Sequence, residues 1–419
     1  MDRSVCSRCN CFSKAKVHVV IDAGDVARAA DLLHDVVAPT PLEYSRWLSE
    51  LVGGDVFLKC ENLQRTGSFK LRGAYVRMAR LSKAERSRGV VAASAGNHAQ
   101  GVALAAQLLG IKATVFMPNG APIPKEKATR AYGAEIRFVG TSIDDCLVAA
   151  RAFEAETGAV LIHPFDHPDI VAGQATTGLE IVEQCPQVRT VVVPTGGGGL
   201  LAGIAAALQR DGVPVEVVGV QAAGAAAYPG SLAAGEPVQL ERMRTMADGI
   251  AVGLPGKVPF ETVQRYVGDV RTVGEDSLSK ALLLILERAK LVVEPAGAAA
   301  VAAVLDEPRR FKPPVVAVLS GGNIDPLLLM RVIRHGMAAA GRYLSLRVRI
   351  PDTPGGLATL VNQLAAMDAN IIEIVHERIS ETLSLDEVEV ALQLELRGEE
   401  HRERLLTGLV ANGYSYTLN

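Results

Sequence analysis

A short, wholly apolar run, Thr190-Val191-Val192-Val193, leads into four consecutive glycines, Gly196, Gly197, Gly198 and Gly199, and then into a helical stretch over residues 199–209. Apolar runs of this length, closed by glycine, read as strands buried on both faces. Strands of that kind belong to parallel sheets, whose neighbours are joined by crossover helices. The same order recurs along most of the chain. Strands are predicted at 56–59, 90–93, 113–116, 135–139, 216–221 and 315–319. Helices are predicted at 25–37, 68–79, 98–109, 126–132 and 277–289, and Pro39-Thr40-Pro41-Leu42 closes the first of them. Several of the strands end at a loop of Ser, Gly or Asn. Ligands of open parallel sheets bind outside the carboxyl ends of the strands, which directs attention to those loops.

After a helix over 327–341 the pattern changes. A strand over 343–350 is followed by Pro354-Gly355-Gly356 and a helix to about 367, then a strand over 370–378. In the next strand, 387–396, Val388, Val390, Leu392, Leu394 and Leu396 fall at period two, with Glu389 and Glu395 assigned to the wet face. A charged helix over 399–411 and a strand over 414–418 complete a βαββαβ order, a ferredoxin-like module. A length of 419 residues accommodates this second unit. The expected division is a disordered extension at 1–24, a catalytic body at 25–340 and the module at 343–419.

The composition excludes several classes. The chain is 49% hydrophobic and 21% charged, enough for a large core. A net charge of -3 leaves no basic surplus for nucleic acid or an anionic membrane. No charge-free apolar run reaches spanning length and residues 1–24 lack a secretory core, so a cytoplasmic location is expected. Cys6, Cys9 and Cys11 read as incidental thiols of the extension, and Cys60, Cys146 and Cys185 as small core residues. No metal is expected.

Four separated runs carry chemistry. Thr66-Gly67-Ser68-Phe69-Lys70-Leu71-Arg72-Gly73 places one lysine at a helix start between glycines, where it can form a Schiff base with an aldehyde cofactor. Gly196 to Gly199 lie at a strand-to-helix junction, where close backbone approach and the helix dipole make a phosphate cup. Gly197-x-Gly199-x-x-Ala202 also fits a loose dinucleotide pattern, but the next strand ends at Gln221, where a nicotinamide site needs an acid. Ser94-Ala95-Gly96-Asn97-His98 sets an amide at a helix N-terminus, suited to a ring hydroxyl or a carboxylate. Ser320 closes an apolar strand before Gly321-Gly322-Asn323, and a neutral hydroxyl there suits a pyridine nitrogen.

In this order and spacing the four runs resemble the threonine dehydratases (threonine ammonia-lyases) of the fold-type II pyridoxal-phosphate enzymes. Pro39-Thr40-Pro41-Leu42, His163-Pro164-Phe165-Asp166, Ala247-Asp248-Gly249-Ile250-Ala251-Val252-Gly253 and Glu294-Pro295-Ala296-Gly297-Ala298 agree. The resemblance covers residues 25–337. It implies two parallel-sheet αβα lobes, the smaller at about 55–155 and inserted in the larger, and pyridoxal 5'-phosphate as cofactor. The segment from 343, with Asp352-Thr353-Pro354-Gly355-Gly356-Leu357, resembles an ACT regulatory domain.

The resemblance also implies roles. Lys70 and Ser94 are the expected catalytic residues. Lys70 would carry the cofactor and then act as base at Cα. Phe69 would lie against the cofactor ring, Asn97 would bond its hydroxyl, Gly196 to Gly199 with Leu200 would bind phosphate, and Ser320 would face the ring nitrogen. Ser94 and the backbone that follows it through Ala95, Gly96, Asn97 and His98 would hold the substrate carboxylate, and the His98 side chain, a candidate base, reads rather as a structural histidine. Related serine racemases carry a serine where this chain has Ala95, and without that second base elimination is favoured over racemisation. Those racemases also carry metal-binding acids where this chain has Gln221, Ala225 and Ala227, and the resemblance implies that His163, Asp166, His167 and Asp169 form a structural loop rather than a metal cluster. Ala175 stands where the family usually has glycine, a change expected to act on the local backbone. The implied substrate is L-threonine, the implied product a precursor of isoleucine, and the implied effector isoleucine or valine at an interface of a homodimer or homotetramer. A serine dehydratase or racemase on the same scaffold is the rival enzyme, and an amino-acid sensor without catalysis the rival of another class.

Overall fold

The computed structural model describes residues 21–209, 214–377 and 386–418. The cysteine triplet at Cys6, Cys9 and Cys11 lies outside the described residues. The strands are β1 (Leu42–Tyr44), β2 (Val56–Lys59), β3 (Val90–Ala93), β4 (Ala113–Met117), β5 (Glu135–Phe138), β6 (Val160–Leu161), β7 (Thr190–Pro194), β8 (Glu216–Ala222), β9 (Asp269–Val273), β10 (Val315–Val318), β11 (Tyr343–Pro351), β12 (Asn370–Glu377), β13 (Glu387–Glu395) and β14 (Ser415–Leu418). They form three sheets. The large one runs β1-β2-β10-β7-β8-β9 and is parallel except for β1. The small one runs β5-β4-β3-β6 and is parallel. The third, β12-β13-β11-β14, is antiparallel in the ferredoxin-like order.

The uninterrupted apolar runs are explained by two cores on opposite faces of the large sheet. Val192, Val315 and Ala317 join one, and Val191, Val193, Val316 and Val318 join the other. Successive side chains of a strand point to opposite faces, so both must be apolar when helices cover both. The antiparallel sheet buries Leu344, Leu346, Val348, Val390, Leu392 and Leu394 under its own two helices. Among the described residues no helix is long and apolar enough to cross a membrane.

Several sequence expectations change. The first helix is Ala23–Leu33, because Asp22 and Asp25 cap its start reciprocally. Ile21 is buried, so the fold begins before residue 25. β2 belongs to the large sheet, where it pairs with β10, so a small lobe starting near 55 is set too early. The small sheet itself runs from Val90 to Leu161. Glu389 lies on the face opposite the module's core, as expected, but is not wet there. It is 8% exposed and pairs with Arg347 on β11 at 2.7 Å. Ala175 lies fully buried inside the uninterrupted helix Pro168–Gln184. Gly203 on the crossing helix makes room for it: a Cβ there would lie 2.7 Å from the Ala175 nitrogen.

A buried charge network ties the large sheet to the helix Lys70–Ala79. Arg72 donates to Glu61 through Nε at 2.9 Å and Nη2 at 2.8 Å, and meets Glu180 at 2.6 Å. Lys59 Nζ, at the end of β2, reaches Glu180 at 2.5 Å, Gln184 at 2.9 Å and the Thr40 carbonyl at 2.8 Å. Burial alone would raise the Glu61 carboxyl, but the charges of Arg72 and Lys59 outweigh it and hold it below the ordinary carboxylate value. Removing one partner leaves an uncompensated buried charge. Glu61→Leu is therefore expected to cost ~3–5 kcal/mol in urea unfolding, with part of the loss recovered by adding Arg72→Leu. A single-variant loss below ~1 kcal/mol would contradict this account.

Candidate active site

Loops from both parallel sheets meet at one place. The segment before Lys70 is pinned to the loop that leaves β10. Ser68 and Gly321 form an antiparallel bridge, Phe69 N donates to Ser320 O at 3.3 Å, and Gly322 N donates to Gly67 O at 2.9 Å. Lys70 then opens its helix. Gly101 lets the helix Asn97–Leu109 close on its backbone, since a Cβ there would lie 3.0 Å from the Lys70 carbonyl carbon. The side chain is thereby aimed into the cleft. Its Nζ donates to the Pro164 carbonyl at 3.1 Å and lies 5.0 Å from the Phe69 ring centroid. Burial lowers the Lys70 amine to about 8, against the opposing charge of Glu294.

Asn97 begins its helix beside this amine. Its Oδ1 accepts from Asn323 Nδ2 at 2.8 Å, and its Nδ2 donates to Glu294 Oε1 at 2.5 Å. Glu294 also donates its backbone N–H to Gly321 O at 3.1 Å. Burial, reinforced by Asp248, raises its carboxyl to about 7, while Lys125, Asn97 and Lys70 pull the other way. Ser94 Oγ accepts from Gly96 N at 3.2 Å, which folds the turn between β3 and the helix.

The glycine run leaves β7 and starts the helix Gly199–Ala207 with no side-chain cap. Its first N–H groups have no intrahelical acceptor and sit at the positive end of the dipole. Gly198 has φ +99°, and a Cβ there would lie 1.8 Å from the Tyr228 hydroxyl oxygen. A Cβ on Gly197 would overlap the Phe165 ring at 2.4 Å. Glycine at these positions is therefore dictated by sterics as well as by access to an anion. Phe165 follows Pro164, so one short segment touches both Lys70 and the glycine cup.

Lys70, Ser94, Asn97, the glycines and Ser320 thus converge. Two side chains point away from this space, and for His98 that agrees with its reading as a structural histidine. The His98 side chain turns away into the small lobe, with Nε2 2.7 Å from the Ile162 carbonyl. Burial and then the Lys70 charge push it down to about 3, which leaves a neutral structural histidine. Leu200 packs into the core with Val191 and Val193, leaving its backbone N–H for an anion. The His163 to Asp169 stretch is a set of caps: His163 Nδ1 accepts from Asp166 N at 2.8 Å, and Asp169 pairs with Arg80 at 2.6 Å. Gln221 Oε1 accepts from Tyr228 N at 2.8 Å, supporting the wall of the cup. Glu294, Lys125 and Asp248 carry no spacing signal of their own in the sequence. Two of them lie within runs quoted for the family likeness, but a lone acid has no periodicity to mark it.

Comparison with known proteins shows the family and the fold. Residues 33–321 match the family model for pyridoxal-phosphate dependent enzymes. The chain is 45% identical over 395 residues to an L-threonine ammonia-lyase of Thermotoga maritima, covering 94% of this chain and 98% of that one. An alignment of that extent runs into the C-terminal module. Among solved structures, the processed form of threonine deaminase isoform 2 from Solanum lycopersicum superposes with TM-score 0.71 at 36% identity, covering 75% of this chain and 94% of that one. A maize serine racemase does so with TM-score 0.71 at 34% identity, covering 74% and 96%.

The depressed amine has a direct consequence. Condensation of the cofactor-free protein with an aldehyde needs neutral Lys70, so its rate is expected to rise as pH passes through about 8. An ordinary lysine would show that rise near about 10.4. Stopped-flow absorbance across pH 6–11 separates the two.

Proposed function

The chain belongs to the pyridoxal-phosphate-dependent enzyme family, and on that premise we propose that it deaminates L-threonine by β-elimination, yielding 2-oxobutanoate and ammonia. L-Serine would yield pyruvate. The observation that carries this reading is the Lys70 amine, buried, depressed to about 8 and set between Asn97, the Pro164 carbonyl and the glycine-lined helix start. These residues fit the cofactor: an amine for its aldehyde, an uncapped helix N-terminus for its phosphate, and neutral polar side chains for its ring. Lys70 would hold it covalently, Gly196, Gly197, Gly198, Gly199 and the Leu200 N–H its phosphate, Asn97 its ring hydroxyl, Ser320 its ring nitrogen, and Phe69 one ring edge. When bound, the cofactor supplies an electron sink that acidifies the substrate Cα–H.

The chain's own residues do the rest. The turn from Ser94 to Asn97 would meet the substrate carboxylate with the N–H groups of Ala95 and Asn97 at the start of the Asn97–Leu109 helix, those of Ser94 and Gly96 being taken by the Phe116 carbonyl and the Ser94 hydroxyl. The free Lys70 amine takes the Cα proton, and its lowered basicity keeps a useful neutral fraction near pH 8. The Pro164 carbonyl orients that amine. The β-hydroxyl departs as water with one added proton, and the four-carbon enamine hydrolyses to keto acid and ammonia. Ala95 has no hydroxyl where the related racemases carry a serine, so this position would return no proton to Cα in the inverted sense.

That is the reason for preferring elimination to the racemase reading which the maize neighbour raises. Purified protein given L-threonine should release stoichiometric 2-oxobutanoate and ammonia, and Lys70→Ala should abolish release by at least about 10³-fold. Release of D-serine from L-serine without keto acid would favour the racemase instead.

The C-terminal sheet, with a hydrophobic core separate from the catalytic lobes, supports a regulatory role of the ACT type. Isoleucine or valine would bind there at an interface between subunits of a homodimer or homotetramer, and on this reading the enzyme would serve a cytoplasmic route to isoleucine. L-Isoleucine and L-valine titrations should then shift the threonine saturation curve. Identical curves at all effector concentrations would remove this part of the reading.

A further inference from the structure

Lys125 has no part in the chemistry above, yet it is among the least exposed lysines, at 8%. It lies on the small-lobe helix Ile123–Ala131. Its Nζ donates to Asp248 Oδ2 at 3.0 Å, across the cleft on the large-lobe turn Asp248–Ile250. A Cβ on Gly96 would lie 3.9 Å from the same Nζ. The ammonium therefore hangs over the turn between Ser94 and Asn97, at the start of a helix with no side-chain cap. Glu294 senses the charges of both Lys125 and Asp248, so the pair is within electrostatic reach of Lys70 and Asn97.

The two partners are unequal. The Asp248 side chain is 58% exposed and that of Lys125 only 10%. A carboxylate as exposed as Asp248 contributes little to such a pair, whereas a buried ammonium needs an anion. Asp248 is thus easily replaced by another carboxylate that reaches the same ammonium. We propose that Lys125 binds the α-carboxylate of the amino-acid substrate, exchanging Asp248 for it as the carboxylate docks on the Ser94–Asn97 turn. The proposal rests on the reading of this cleft as an amino-acid site and adds its specificity-determining cation. Backbone N–H groups orient a carboxylate but carry no full charge. Lys125 supplies that charge and selects amino acids over plain amines. Because the cation sits on the small lobe and its exchangeable partner on the large one, docking also transfers Lys125 from an inter-lobe contact to the substrate.

The test uses the full-length, cofactor-loaded protein and two probes that bind without β-elimination. L-Alanine carries the carboxylate and 2-aminoethanol lacks it. Binding is read from the cofactor absorbance. Lys125→Met is expected to weaken L-alanine by about tenfold or more, the size of a lost charge-assisted hydrogen bond, and 2-aminoethanol by less than about twofold. Lys125→Arg should keep L-alanine within about threefold of the unmodified protein, and Asp248→Asn should leave it unchanged or tighter. With L-threonine, Lys125→Met should raise KM by about tenfold while kcat stays within about threefold. Equal weakening of both probes, or unchanged L-alanine binding, would overturn the proposal. Weaker L-alanine binding in Asp248→Asn would overturn the exchange. Lys125→Gln serves if Lys125→Met does not load cofactor. Should the unmodified protein give no keto acid from L-threonine, the activity reading fails, while the contrast between the two probes still decides the role of Lys125.

Discussion

The cluster of Arg72, Glu61, Lys59 and Glu180 is the constraint on which the catalytic body depends. Arg72, Glu61 and Lys59 are fully buried, so each charge has lost its water and must be met by another. The geometry that achieves this leaves little freedom. Arg72 belongs to the helix that starts at Lys70, Lys59 to the end of β2, and Glu180 to the helix Pro168–Gln184. Satisfying the cluster fixes that helix relative to the large sheet, and with it the lysine two residues upstream. A looser anchor would let the Lys70 amine wander from the Pro164 carbonyl, and proton transfer depends steeply on such placement.

A second constraint is close approach of backbone. Gly73 and Gly173 face each other across two helices, and a Cβ on Gly173 would lie 2.6 Å from the Gly73 Cα. Gly297 stands against the Gly321 carbonyl in the same way, with 2.3 Å left for a Cβ. These contacts let the loops after β3, β7 and β10 share one small space. Asn323 closes the arrangement, with its Nδ2 2.7 Å from the Thr66 carbonyl and 2.8 Å from Asn97 Oδ1. Charge is distributed around the space rather than neutralised in it. The amine is lowered and the nearby carboxyl of Glu294 raised, so near pH 7 to 8 each lies close to its own midpoint and can hold or release a proton.

The C-terminal module joins this body through a short, specific seam. Arg342 meets Glu287 at 2.5 Å, inside the wide helical turn Ile285–Ala289. That turn ends at Lys290 with φ 61°, four residues before Glu294. The module therefore touches the same chain segment that carries a carboxylate of the site.

Much of this was legible in the residues alone. The order of strands, the glycine cup, the Lys70 run, Asn97 and Ser320 follow from local patterns, because a strand buried on two faces and a helix start that binds an anion each demand particular neighbours in sequence. The βαββαβ order of the module was likewise readable from its period of two. What sequence could not decide was long-range pairing. The burial of Glu389 depends on Arg347, 42 residues away. The neutrality of His98 depends on its burial in the folded small lobe and then on the charge of Lys70, against the pull of the Ile162 carbonyl. Glu294 and Lys125 acquire their roles from partners 197 and 123 residues distant. Local pattern determined which elements form and which loops carry chemistry. Only the tertiary structure decided which charges share a desolvated space, since that depends on distances no short stretch of chain encodes.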